Sequence, residues 1–309
     1  NDDGDVLTLS NSNGNEIDRV SFDQSWHTEA GKEDGGWSLE RINYNLPCLG
    51  SENWESCPVL PGGTPGLKNA AFRNSSDDDR PYSLWAYTES DNTVLLTFNE
   101  GLDKSSMENI GSYHFSPELD ILSAVQQPYN GQVRLTLSEP MVAGVLYYLT
   151  VNQTLTDCSG NSASETDTVI VGAPQRPESQ DIIINEVMFN PASGNARYIE
   201  FYNRSNKVFD WTKFFIENKS SLFAVAEITQ RRLAIPGQYH AFTTDAPNIR
   251  DHFNNIIQRN VLENLLPTLN DKSGSIRLYW VENGDTVELD ALNYSDDWHN
   301  ALYSVGDRD

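Results

Sequence analysis

The sequence predicts an all-β chain built from tandem β-sandwich modules. Three observations carry that expectation. Short β-branched or aromatic stretches, each bounded by turn residues, recur along the 309 residues. One hairpin pattern occurs twice, near the two ends of the chain. Helical periodicity is scarce, with a short helix expected only at residues 248–255, after Pro247, and a helical turn near residues 104–109.

The first hairpin copy reads Gly4-Asp5-Val6-Leu7-Thr8-Leu9, then Asn13-Gly14, then Glu16-Ile17-Asp18-Arg19-Val20-Ser21-Phe22, then Trp26-His27. The second reads Gly274-Ser275-Ile276-Arg277-Leu278-Tyr279, then Asn283-Gly284, then Glu288-Leu289-Asp290-Ala291-Leu292-Asn293-Tyr294, then Trp298-His299. The inserted pair Thr286 and Val287 lengthens the second copy just after its turn. Asn-Gly is the two-residue type I′ hairpin signal, so a tight turn is expected in both copies. Beyond Trp26-His27 the first copy continues through Gly36-Trp37-Ser38-Leu39-Glu40-Arg41, Asn53-Trp54 and Gly62-Gly63-Thr64-Pro65-Gly66. The second has instead a long upstream portion from about Asp181. The chain is therefore expected to be a window on something longer, beginning in one module and ending within the next.

The middle has a different texture. Asn74-Ser75-Ser76-Asp77-Asp78-Asp79-Arg80 reads as a solvated linker, and Gly172-Ala173-Pro174-Gln175-Arg176-Pro177 as a second one. Between them, strands are expected at residues 93–99, 133–137 and 147–151. The expected segments are 1–72, 73–174 and 175–309.

Charge narrows the function classes. Lys and Arg total 21 against 45 Asp and Glu, a formal net charge of -24. Nucleic-acid binding rests on cationic side chains neutralising phosphates, so such a surface disfavours DNA, RNA and anionic membranes. It suits Ca²⁺, cationic partners or simple solubility. No apolar run approaches the roughly 18–20 residues that a membrane-crossing helix needs, so no membrane insertion is expected. Of the cysteines Cys48, Cys57 and Cys158, the first two are near neighbours in a loop-like stretch and are expected to form a small disulfide; three free thiols are the alternative. No spacing supplies a zinc site.

On these residues, segment 1–72 resembles the C-terminal part of a lamin tail domain. The carrying motifs are Asn13-Gly14, Ile17-Asp18 with Val20 and Phe22, Trp26, Ser38-Leu39-Glu40-Arg41, Asn53-Trp54 and Gly62-Gly63-Thr64-Pro65-Gly66. Segment 175–309 resembles the opening and middle of the same domain through Ile184-Asn185-Glu186-Val187-Met188, Asn190-Pro191, Tyr198-Ile199-Glu200-Phe201-Tyr202-Asn203, Asp210-Trp211 and Leu233 to Gly237; it ends before a Ser-Leu-Glu-Arg segment. Segment 73–174 resembles a surface-layer-type bacterial Ig-like domain through Val94 to Glu100, Val133 to Leu137, Tyr147 to Val151, and Thr156-Asp157 with Gly160-Asn161. The resemblance implies tandem Ig-like β-sandwich domains, a bacterial cell-surface or secreted location, and no catalytic residue to carry over.

The residues agree with a non-enzymatic chain. His27, His114, His240, His252 and His299 are scattered singly, and no Gly-x-Ser-x-Gly elbow is present. Glu186 and Glu200 sit on neighbouring expected strands, where strand register explains them better than a glycosidase pair. Glu40 and Arg41 read as register-holding residues, pairing locally or with Glu186 and Glu200. Trp26, Trp54, Trp211 and Trp298 read as core or strand-end residues rather than sugar platforms. Asp2-Asp3-Asp5, Asp77-Asp78-Asp79 and Asp296-Asp297 are acidic clusters; Asp77, Asp78 and Asp79 are the weak candidates for Ca²⁺, the one cofactor entertained. Glycosylation sequons occur at Asn74, Asn152, Asn203, Asn218 and Asn293.

The resulting expectation is a non-catalytic extracellular stalk, adhesin or filament subunit. Its partners would be other protein modules of the same or neighbouring chains, including its own copies by completion of the unfinished end modules. The alternatives are an accessory region of a secreted hydrolase (nuclease, protease or glycosidase) with its catalytic domain elsewhere, and glycan binding through exposed tryptophans.

Overall fold

The computed structural model describes residues 4–14, 16–46, 49–74, 76–127, 131–219 and 225–298. Strands dominate throughout, so the chain is all-β. Among the described residues α-helix is confined to Lys104–Met107 and Ala246–His252, and no helix is long and apolar enough to cross a membrane. Ala246–His252 starts two residues before the expected helix because Asp245 caps it, accepting the Asn248 N–H at 3.0 Å, with Pro247 in the first turn. Asp103 caps Lys104–Met107 in the same way through the Ser106 N–H at 2.8 Å. The chain divides into two compact units: Asn1–Leu84 with Leu95–Ser138 and Leu149–Val169, and Trp85–Val94 with Glu139–Tyr148 and Ile170–Asp309.

The second unit contains a closed sandwich. One sheet runs Ile182–Met188, Tyr198–Asn203, Tyr239–Thr243, Val261–Glu263; the other runs Val225–Glu227, Phe214–Asn218, Ser273–Glu282, Asp285–Ser295. The long hairpin shows why. Along Ser273–Glu282, Gly274, Ile276, Leu278 and Trp280 are buried while their neighbours are not, the period of two that puts one face of a strand in a core. Asn283 and Gly284 have φ of 51° and 88°, the two positive values a type I′ turn demands. Both sheets meet over Ile199, Phe201, Phe214, Phe242 and fully buried Trp211, whose ring lies 5.1 Å from both Phe214 and Phe242. Burying side chains of this kind contributes about 1.5–3 kcal/mol each. This copy closes without a Ser-Leu-Glu-Arg segment.

The first copy is built differently. Among the described residues Gly4–Ser10 and Glu16–Asp23 pair as a two-stranded sheet, and Leu39–Arg41 with Trp54–Ser56 form another. The expected type I′ turn at Asn13-Gly14 is absent: of the two only Gly14 has positive φ, at 84°, and its N–H closes on the Asn11 carbonyl at 3.0 Å inside a longer connection. Leu7 and Ile17 are 60% and 62% exposed, whereas Ile276 and Leu278 of the second copy are 0% exposed.

The expected central strands appear at Thr93–Phe98, Gln132–Leu137 and Tyr147–Val151. Within the first unit Gln132–Leu137 pairs antiparallel with Ile121–Gln126. Val133, Leu135 and Leu137 alternate inward as the sequence pattern requires.

Candidate functional site

Three carboxylates from distant parts of the sequence meet in the first unit: Asp77, Glu100 and Asp157, each offering an oxygen within 4.8 Å of the others. Asp157 opens a tight loop. Its carboxylate accepts the N–H groups of Ser159 and Asn161, both at 2.8 Å, and the Asn161 side-chain amide at 2.7 Å. Gly160, at φ 92°, supplies the left-handed residue that closes this loop. The loop then holds the acidic connector. Ser159 donates its hydroxyl to the Asp77 carboxylate at 2.9 Å, and Asn161 donates its amide to the Asp77 carbonyl at 3.0 Å. Asp77 is thus half-buried within a run that is otherwise exposed wherever it is described.

Glu100 stands just past the end of Thr93–Phe98. Gly131 backs it so closely that a Cβ there would lie 2.8 Å from the Glu100 carbonyl oxygen. Glu100 is 8% exposed and Asp157 2%. One Glu100 oxygen accepts the Asn99 amide at 3.0 Å; the other, Oε2, is buried and finds no hydrogen-bond donor among the described residues. Burial pushes its pKa up to about 7, the Asn99 bond opposing and the charges of Asp77, Asp157 and Glu52 adding to the rise. Arg80 lines the same cleft of about 770 Å³, yet no ion pair joins it to the three carboxylates among the described residues.

Of the sequence-level Ca²⁺ candidates, only Asp77 belongs to this cluster. Asp78 accepts the Ser76 hydroxyl at 2.9 Å, and Asp79 contributes only its backbone N–H to Asp77 at 3.3 Å. Glu100 and Asp157 were missed because each looked like part of a strand or turn motif. The signal that points to Asp157 is the Asp-x-x-Gly-Asn spacing, which makes a carboxylate-centred loop; nothing local marks Glu100.

The expected Cys48–Cys57 disulfide does not form. Cys57 is a free, fully buried thiol at the end of Trp54–Ser56, its Sγ directed at the Val59 carbonyl at 3.5 Å. Cys158 is disulfide-bonded, and Cys48 lies outside the described residues.

The remaining candidates have structural partners. Glu186 and Glu200 face each other in register, but Tyr198 donates to Glu186 and Asn185 donates to Glu200 at 2.7 Å. Burial, together with the charge of Glu186, raises the pKa of Glu200 against the lowering effect of the Asn185 bond. Buried Glu40 accepts from Thr64 and from the Ala71 N–H, while Arg41 pairs with Asp18 at 3.1 Å. Burial raises the Glu40 pKa, but these bonds outweigh it and leave the group below its ordinary value. His27 meets the Ser56 hydroxyl at 2.9 Å, buried His240 packs edge-on to Trp211 at 5.7 Å, and His299 lies outside the described residues. Trp211 is core and Trp26 packs 6.2 Å from Trp54, but Trp298 is exposed. Two sequon asparagines are buried: the Asn203 amide donates to the carbonyls of Lys207 and Ala234 at 2.8 and 2.9 Å, and that of Asn218 to Thr268 at 2.7 Å.

A second cleft, of about 730 Å³, lies beside the first hairpin. Leu7, Val20 and Phe22 of the hairpin line it together with Trp37, Leu39 and Trp54.

No known family profile matches the chain, and no curated protein matches it. Among solved structures, it is similar to the N-terminal part of the bacterial S-layer protein SbsC, at 14% identity over 70% of this chain and 43% of that one, with a TM-score of 0.30. Domains 1–6 of SbsC match at 14% identity over 70% of this chain and 25% of that one, with a TM-score of 0.29. The BSP domain of a biofilm-associated protein matches at 12% identity over 96% of this chain and 43% of that one, with a TM-score of 0.24. The chain thus spans less than half of each of these structures.

Proposed function

We propose that the chain is a non-catalytic structural or adhesive segment of a bacterial cell-surface or secreted protein. In this reading segments 1–72 and 175–309 are lamin-tail-type modules flanking an Ig-like module at 73–174. The observation that carries the proposal is the contrast between the two hairpin copies. In the second, Phe214–Asn218 pairs with Ser273–Glu282 and the core is closed. In the first, Gly4–Ser10 has Glu16–Asp23 as its one partner among the described residues, and apolar Leu7, Val20 and Phe22 face an open cleft. A strand counterpart of Phe214–Asn218, supplied by the same or a neighbouring chain, would pair with the Gly4–Ser10 edge and fill that cleft. The disulfide at Cys158 supports an oxidising compartment, and the charge of -24 supports a solvent-exposed life.

Light scattering on the full chain over a concentration series tests the intermolecular form of this association. Mass that grows with concentration, and stays monomeric in Leu7→Lys, supports modules completed between chains. A monomer at every concentration refutes that form and leaves completion within one chain.

A further inference from the structure

We propose that Asp77, Glu100 and Asp157 form a Ca²⁺ site that fastens the acidic connector around residues 76–80 to the loop at residues 156–161. Three carboxylates crowded within 4.8 Å repel one another, and acidic clusters on a surface ordinarily relieve this by turning into water. Here two of the three are held in place with almost no exposure. The independent mark of a missing ligand is Glu100: its Oε2 is buried and unpartnered among the described residues, and it belongs to the same cluster. A buried, unpaired carboxylate oxygen is costly unless something positive meets it.

The chemistry of the donors selects the ion. All three side chains offer oxygen, and neither His nor Cys joins them, which suits a hard cation. Ca²⁺ takes six to eight oxygens at about 2.3–2.6 Å in irregular geometry, so ligands on opposite sides of the ion stand about 4.6–5.2 Å apart. Donors spread over no more than 4.8 Å fit around one such ion. Both oxygens of Glu100 and of Asp77 are available to it, since their present hydrogen bonds leave lone pairs free. Water from the adjoining cleft would complete the shell.

The test is a Ca²⁺ titration of the full chain, read by thermal melting and by Tb³⁺ luminescence, for which Tyr82 in the same cleft is the sensitiser. Wild type is expected to melt higher in Ca²⁺ and to return on chelation. Glu100→Gln should weaken the ion at least about tenfold, because affinity follows the number of ligand charges. Without Ca²⁺ it should melt no lower than wild type, since the amide has no charge to bury. Asp77→Asn, on the connector and outside the core, should weaken the ion likewise with unchanged ion-free melting. A wild-type melting temperature that millimolar Ca²⁺ leaves unmoved overturns the site, and so does equal affinity in wild type and both variants.

Discussion

His240 makes the stability of the second unit sensitive to acid in a way that one substitution isolates. The ring is buried on Tyr239–Thr243, opposite Phe201 and edge-on to Trp211, and its Nδ1 finds no partner among the described residues. Burial, with a smaller push from the nearby Arg232 charge, lowers its pKa from 6.5 to about 3. The folded chain therefore keeps His240 neutral, while the unfolded chain takes up a proton as the pH falls below 6.5. The stability it preserves is complete above pH 6.5 and drains away as the pH falls towards 3. Each pH unit in that window costs about 1.4 kcal/mol, so acidification from pH 6.5 to 5 costs roughly 2 kcal/mol. Glu100 works in the opposite sense: its raised pKa adds stability as the pH falls through about 7, so wild type alone mixes the two trends. His240→Phe keeps a flat ring and removes the titration. Urea unfolding of both proteins at pH 7.5 and 5 should show the variant gaining about 2 kcal/mol on wild type at the lower pH. A difference between them that stays constant within about 0.5 kcal/mol would refute the assignment.

Two further outcomes follow from packing and chemistry. Gly274→Ala should destabilise the closed sandwich by about 1–3 kcal/mol in urea melts, because the new methyl would overlap the ring of Tyr294, which is stacked on Phe189 at 4.5 Å and bonded to Asn270. Cys57 should resist thiol reagents in the native chain and react once urea is added, without any reductant; rapid native labelling would contradict its burial.

The parts of this fold that could be read from the sequence are those written in short-range pattern. Alternation in Val133–Leu137 and Tyr147–Val151 marked real strands, and the repeated hairpin was visible from its residues alone. Asn283-Gly284 formed the expected turn, but Asn13-Gly14 did not, because its connection is longer and the dipeptide sets no register there. The acidic site was only partly legible. Asp77 stood out in an acidic run and the Asp-x-x-Gly-Asn spacing marks the loop around Asp157, but nothing local marks Glu100, and no spacing encodes the tertiary pairing that brings the three together. Cys57 shows the same limit from another side: nearness in sequence suggested a bridge, while strand pairing took the thiol inside.

Asn203 and Asn218 carry a consequence for making this protein. Both stand in Asn-x-Ser sequons, and in the folded chain both amides are sealed inside as donors to backbone carbonyls. An oligosaccharyltransferase meets a nascent chain before such burial is complete. In a eukaryotic secretory host, a glycan added at either position would remove one amide hydrogen and place a bulky sugar where the sandwich must close. Material from such cells should accumulate as misfolded glycoprotein, because in the folded chain both side chains are enclosed and bonded to the backbone around them.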